Sequence, residues 1–243
     1  GGGPSGLSAA YYLALMGHKV TVYEKRAKLG GMLRYGIPNY RLPREVLDAE
    51  IASMLALGID VHVNVNVGDD VTFDELRQQN DALYIALGAH TDKKTGIEGE
   101  DADGVISAVE MLREIGDDHM PDFRNKDIVV IGGGNAAIDV ARAALRLTKG
   151  SVNMYCLEKD EEMPTVPDEK NAGIADGVVI NNSWAPKAIL GEGGKVTGIE
   201  LMRCVSVRDA SGKFAPVYDE NETITVPCSN VLVAIGQRSV YGG

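Results

Sequence analysis

Gly1, Gly3 and Gly6 are spaced Gly-x-Gly-x-x-Gly and lead directly into an apolar stretch at 7–16 that ends at Gly17. Such a spacing permits little besides a strand-to-helix turn. The first glycine makes the turn, the second lets a ligand approach the backbone, and the third lets the helix pack close on the strand. The same device returns at Gly132, Gly134 and Ala137, now preceded by an apolar strand at 127–131 and followed by a predicted helix at 135–147 and a strand at 151–157. In each copy an acid follows at the end of the next strand: Glu24 closes 18–24, and Glu158 stands just past 151–157. A lone glycine turn serves many strand–helix junctions, whereas two with strand, helix and acid in order predict duplicated Rossmann-like dinucleotide-binding domains in an α/β chain. The strand expected before Gly1 is missing from the sequence.

After a Gly-Gly turn at 30 and 31, Pro43 opens a predicted helix whose Leu47, Ile51, Met54 and Leu55 share one face, ending at Gly58. Residues 59–67, closing on Val67, alternate as a strand does. The run 81–89 reads as a buried strand ending in glycine, and much the same pattern at 230–237 marks a second crossing between domains. Residues 178–227 alternate strand-like runs with Gly and Asn turns, the pattern of a β-meander. The expected division is a first domain at 1–100, an inserted second domain at 101–229, and a return to the first at 230–243.

Composition removes several classes of function. A net charge of −11 disfavours nucleic acid and anionic membranes as partners, and no apolar run approaches the roughly 20 residues of a membrane helix. Cys156, Cys204 and Cys228 form neither a disulfide framework nor a Cys-x-x-Cys redox pair, and three thiols cannot complete a four-thiolate iron–sulfur site. His18, His62, His90 and His119 lack ligand spacing, so no metal is expected, and the 117–119 cluster reads as a solvated connection. Reduced cysteines and the lack of a leader before Gly1 give a cytoplasmic expectation.

The stretch Gly30-Gly31-Met32-Leu33-Arg34-Tyr35-Gly36-Ile37-Pro38, followed by Tyr40-Arg41-Leu42-Pro43, closely resembles the glutamate synthase small (beta) subunit family. That family includes the FAD module of dihydropyrimidine dehydrogenase and NADH-dependent ferredoxin oxidoreductases. The likeness continues through 81–88, the second glycine turn, Glu162-Met163-Pro164 and Val233-Ala234-Ile235-Gly236-Gln237. It implies a three-layer architecture like that of pyridine nucleotide-disulfide oxidoreductases, with an NAD(P) domain inserted in an FAD domain and hydride passing from nicotinamide to flavin without an acid–base side chain. It also implies roles. Gly1, Gly3, Pro4, Ser5 and Gly6 would hold the FAD pyrophosphate, and Glu24 and Lys25 its ribose. Gly30, Gly31, Met32, Arg41 and Val67 complete the FAD set. Gly132, Gly133, Gly134, Asn135, Ala136 and Ala137 would meet the nicotinamide dinucleotide, with Glu158, Lys159, Ala234 and Gly236 around it.

The chain departs from this pattern in places. Members that use NADPH carry basic residues, often two arginines, where this chain reads Glu158-Lys159-Asp160. A carboxylate there accepts ribose hydroxyls and repels a 2′-phosphate, which predicts NADH over NADPH. The first strand and the family's closing Gly-Asp segment are both lacking, so the FAD domain is expected to be incomplete. Two readings follow. One is an electron-entry flavoprotein subunit that hands electrons to an iron–sulfur or large catalytic partner; the other is a truncated nicotinamide-dinucleotide-binding module without turnover of its own.

Overall fold

The computed structural model describes residues 1–239, which divide into two compact units. The first comprises Gly1–Thr91, Ile115–Asp117 and, of the described residues, those from Arg238 to Ser239; the second comprises Asp92–Glu114 and Asp118–Gln237.

The first unit contains α1 (Pro4–Leu15), β1 (Thr21–Glu24), α2 (Met32–Tyr35), α3 (Arg44–Leu55), β2 (Asp60–Val63) and α4 (Phe73–Gln79). The apolar face anticipated for α3 is turned inward: Leu47 and Ile51 join Leu7, Ala10, Val22 and Ile59 in one core, with Met54 and Leu55 at its margin. Gly17, at φ +89°, ends α1 in the left-handed conformation that a side chain would oppose. β1 and β2 pair in parallel, Thr21 opposite Asp60. β2 stops at Val63 rather than 67 because Asn64 turns to φ +56°, which breaks the extended backbone. α4 starts with a capping box, Thr72 and Glu75 each bonding the other's backbone.

The expected buried strand at 81–89 is not observed. Ile85 is 62% exposed and Leu83, Tyr84 and Leu87 are exposed with it, and the run joins no ladder among the described residues. An apolar run becomes a buried parallel strand only where neighbours pair both of its edges.

Two short strands, β3 (Thr91–Asp92) and β12 (Gln237–Arg238), lie where the chain passes between the units. The second unit continues with β4 (Val105–Ser107), α5 (Ala108–Gly116, which runs past the boundary at 114), β5 (Ile128–Ile131), α6 (Asn135–Leu147) and β6 (Val152–Cys156). A 3-10 turn at Asp160–Glu162 precedes α7 (Pro167–Asp176) and β7 (Val179–Asn182). The meander is β8 (Trp184–Glu192), β9 (Lys195–Arg208) and β10 (Phe214–Pro227), and β11 (Asn230–Val233) follows it.

The parallel sheet has the order β4-β11-β5-β6-β7, and β8–β10 form a separate antiparallel sheet. Val129, Ile131, Val231 and Val233 from the parallel sheet share one core with Ile189, Ile199 and Leu201 from the antiparallel one. α6 packs on β5, β6 and α7. Helices, parallel sheet and antiparallel sheet therefore form three layers.

The expected division at 230 is corrected. β11 pairs with both β4 and β5, and Val231 and Leu232 are fully buried, so 230–233 is an inner strand of the second unit and the chain leaves that unit at 237/238. The earlier boundary moves from 100 to 91/92, as Glu98 bridges to Ala188 of β8. The part of the expected return segment beyond 239 lies outside the described residues.

Candidate functional site

In the first unit, β1 delivers Glu24 back to the glycine turn. Glu24 Oε2 accepts a 2.8 Å hydrogen bond from the Gly2 amide, and Oε1 accepts one of 2.8 Å from the Arg26 amide. A carboxylate has about four acceptor positions, so this buried group keeps capacity for ligand hydroxyls. The Gly30 amide donates to the Gly2 carbonyl at 2.8 Å, which lays the 30–31 turn on the 1–6 turn. Gly31 takes φ +52°, and a Cβ on it would stand 2.6 Å from Gly3 Cα. A Cβ on Gly6 would overlap the Gly1 carbonyl, and one on Gly1 the Ala86 carbonyl. On Gly3, by contrast, it would meet only Gly31 Cα, at 3.5 Å. α1 starts at Pro4 with Gly3 as its N-cap and no side-chain cap.

The second unit repeats this plan. A Cβ on Gly133 would stand 2.7 Å from Glu158 Oε2, just as one on Gly2 would stand 3.2 Å from Glu24 Oε2. Gly132, at φ +141°, abuts the Ala234 carbonyl, while the Ala234 amide donates to Ile131 at 2.8 Å. Ala234 thereby closes the crevice between β5 and β11, the point where the strand order reverses and dinucleotides bind in open parallel sheets. A Cβ on Gly134 would meet nothing within 4 Å. α6 again starts without a side-chain cap. Ala137, fully buried, shows that the third position accepts a methyl here, whereas Gly6 does not.

The structure thus gathers Gly1, Gly3, Gly6, Glu24, Gly30 and Gly31 into one cradle, and Gly132, Gly133, Gly134, Glu158 and Ala234 into another. Pro4 and Met32 begin the helices that border the first. Ser5 sits on the surface, its hydroxyl 3.0 Å from the Tyr84 hydroxyl. Lys25, Val67, Ala136, Lys159 and Gly236 are exposed, and Arg41 is half-buried in the turn after α2. The Asn135 side chain is committed elsewhere: its Oδ1 accepts from Thr165 Oγ1 at 2.7 Å and from the Val166 amide at 2.9 Å.

Two arginines escaped the sequence reading although both lie in or beside the Gly30–Pro43 stretch. Arg34, 5% exposed, donates from Nε to the Leu29 carbonyl at 2.6 Å and pairs with Asp48. Arg44 donates to the carbonyls of Leu33 at 3.0 Å and Ile37 at 2.9 Å. Together they tie the carbonyls of Leu29, Leu33 and Ile37 to buried or half-buried guanidinium groups. The intervening arginine in a glycine-rich motif was the available signal.

The three cysteines are free and buried. Burial, reinforced by Glu158, pushes the Cys156 thiol up to about 12, and burial with Asp127 nearby does the same for Cys228. At pH 8 each is about one part in 10⁴ thiolate. Iodoacetamide at that pH is therefore expected to leave both unmodified in the folded chain and to label them in urea; mass-spectrometric labelling of the folded chain within minutes would contradict the burial. Among the described residues no group of His, Cys, Asp and Glu is arranged to hold a metal, and no helix is long and apolar enough to cross a membrane.

Residues 1–241 match the sequence profile of the family described as pyridine nucleotide-disulphide oxidoreductase. The chain belongs to that family. FAD and NAD(P) are the cofactors that this membership supplies, and the two cradles fit them: each has a side-chain-free second glycine, an uncapped helix start and an acid beside the middle residue of the turn. Within the family, the chain is 41% identical over 242 residues to the NADP(+)-dependent formate dehydrogenase subunit beta of Moorella thermoacetica, covering 98% of this chain and 34% of that one. It is 32% identical over 252 residues to the glutamate synthase [NADPH] small chain of Escherichia coli K12, covering 98% of this chain and 53% of that one. The chain therefore spans between about a third and a half of these relatives' length. Among solved structures, Mycobacterium tuberculosis FprA in complex with NADPH superposes with a TM-score of 0.83 at 23% identity, over 99% of this chain and 70% of that one, which shows a shared fold.

Proposed function

We propose that this chain is the electron-entry part of a flavoprotein oxidoreductase, with FAD held by the first unit and NADH by the second, passing electrons to an iron–sulfur or large catalytic partner subunit. The observation that carries this reading is the duplicated geometry of Gly2 with Glu24 and Gly133 with Glu158. When bound, the nicotinamide supplies a hydride and the flavin accepts it; the chain's own residues bind and orient. Gly3 and Gly134 leave room for a pyrophosphate against the backbone, and the starts of α1 and α6 offer amides to it. Glu24 and Glu158 accept ribose hydroxyls. A cytoplasmic setting is in keeping with three free, buried cysteines.

NADH is favoured over NADPH by Glu158 and by the acids that follow it, Asp160, Glu161 and Glu162. The one basic residue between them, Lys159, is exposed, and Lys170 is paired with Asp160. The two relatives above carry NADP(+) or NADPH in their names; the preference for NADH is argued from this chain's own carboxylates. The test is an anaerobic visible spectrum of the chain supplied with FAD, followed by NADH or NADPH. A flavin band should appear and be bleached at least roughly tenfold faster by NADH at equal concentration, and Glu158→Arg with Lys159→Arg should reverse the order. No retained flavin would leave a nicotinamide-dinucleotide-binding module without turnover. An unreversed preference in the double variant would remove Glu158 from selectivity.

A further inference from the structure

The segment 159–166, which includes Glu162-Met163-Pro164 and contributes charge through its acids, is also fixed at several points. Behind its entry, the Asn182 side chain donates to the Glu158 carbonyl at 3.1 Å. Lys170 donates to the Asp160 carbonyl at 3.1 Å and pairs with its carboxylate. Met163 and Thr165 are buried. At its far end two donors, the Thr165 hydroxyl and the Val166 amide, converge on a single acceptor, Asn135 Oδ1, at 2.7 and 2.9 Å. Asn135 is the first residue of α6, directly after Gly134. One side chain thus couples the turn that faces the pyrophosphate lane to the segment that begins at Glu158.

We infer that Asn135 is a positioning residue for cofactor selectivity: it lashes 163–166 to the start of α6 and so holds the Glu158 end of that segment over Gly133. This rests on the dinucleotide reading of the second unit. Both groups that Asn135 binds are donors, so the role needs an acceptor oxygen and has no use for the side-chain amide hydrogens. A direct pyrophosphate contact would need those hydrogens. Positioning and contact therefore predict different variants. Asn135→Asp keeps the acceptor and loses the amide; Asn135→Ala loses both; Thr165→Val removes one donor and leaves the Asn135 side chain in place.

The experiment uses the full chain and two readouts. In cofactor-free protein, amide hydrogen exchange at Val166 should speed up at least about tenfold in Asn135→Ala, the equivalent of one lost hydrogen bond, and stay slow in Asn135→Asp. In NADH and NADPH titrations followed by nicotinamide fluorescence, Asn135→Ala and Thr165→Val should both narrow the NADH-to-NADPH affinity ratio, by about tenfold and by less, respectively. Equal weakening of both cofactors in Asn135→Ala, with Thr165→Val unchanged in ratio, would overturn the inference in favour of direct pyrophosphate contact. Unchanged Val166 exchange would remove the tether itself. If the wild-type chain binds neither cofactor, the dinucleotide reading fails and the selectivity role with it, while the exchange result still reports the tether as a purely structural link.

Discussion

A Gly132→Ala chain is expected to unfold its second unit at much lower urea concentration, losing roughly 3–5 kcal/mol. Two effects add. Gly132 sits at φ +141°, where an L side chain is strained by about 1–3 kcal/mol, and the new methyl would overlap the Ala234 carbonyl, an overpacking cost of similar size. That carbonyl belongs to backbone held by the Ala234–Ile131 hydrogen bond, so it has little freedom to retreat. Trp184, the single tryptophan, opens β8 in the same unit and reports the transition by fluorescence. Gly134→Ala is the partner experiment. At φ −91° with nothing within 4 Å of the added Cβ, it should unfold within about 0.5 kcal/mol of wild type, yet bind NADH at least roughly tenfold more weakly because the methyl fills the space left for a pyrophosphate. Full affinity in Gly134→Ala would show that the cofactor takes another course.

The second large effect is expected at Arg34→Met. The guanidinium is buried at the end of the 30–31 turn, where it satisfies the Leu29 carbonyl and Asp48. Its loss leaves a carbonyl without a partner in the interior, while Asp48, 58% exposed, returns to water. A fully buried pair broken in this way costs about 3–5 kcal/mol; with one partner open to solvent, roughly 2 kcal/mol is expected. Because Gly30 bonds Gly2 and Gly31 lies against Gly3, the loosened turn should also weaken FAD retention on gel filtration. Arg34→Lys, which keeps a charge but not the fork of donors, should recover only part of it. Wild-type retention in Arg34→Met would deny the turn any part in holding FAD.

How far these features were legible from residues alone depended on whether local chemistry settled them. The span of α6 was read to the residue, since a glycine turn fixes its start and an amphipathic pattern its extent. The Gly-Gly and Ser-Gly turns of the meander were plain as well, but the expected meander began too early: 179–182 joins the parallel sheet as β7, because it pairs with β6. The runs at 81–89 and 230–237 were not separable, because both are short, apolar and end in glycine, and only the neighbours available in space decide which becomes a buried strand. β11 has β4 and β5 on its two sides; 81–89 has no such pair among the described residues. For the site, motif spacing located the glycines and acids, while Asn135, named from the motif as a cofactor contact, proved to have its side-chain oxygen committed to Thr165 and Val166. Sequence spacing carries no trace of a partner thirty positions away.

The order β4-β11-β5-β6-β7 also has a temporal meaning. A ribosome delivers β4, β5, β6 and β7 and then the whole 184–227 meander before it delivers the strand that belongs between β4 and β5. Throughout that interval the nascent sheet has a slot one strand in from its β4 edge, with apolar Val129 and Val130 on one bank and Val105 on the other awaiting a strand. At about 5–20 residues per second, the slot stays open for several seconds. During that time the sequence most exposed to mispairing or chaperone capture is the inner edge of β5, which in the finished molecule is among the best protected.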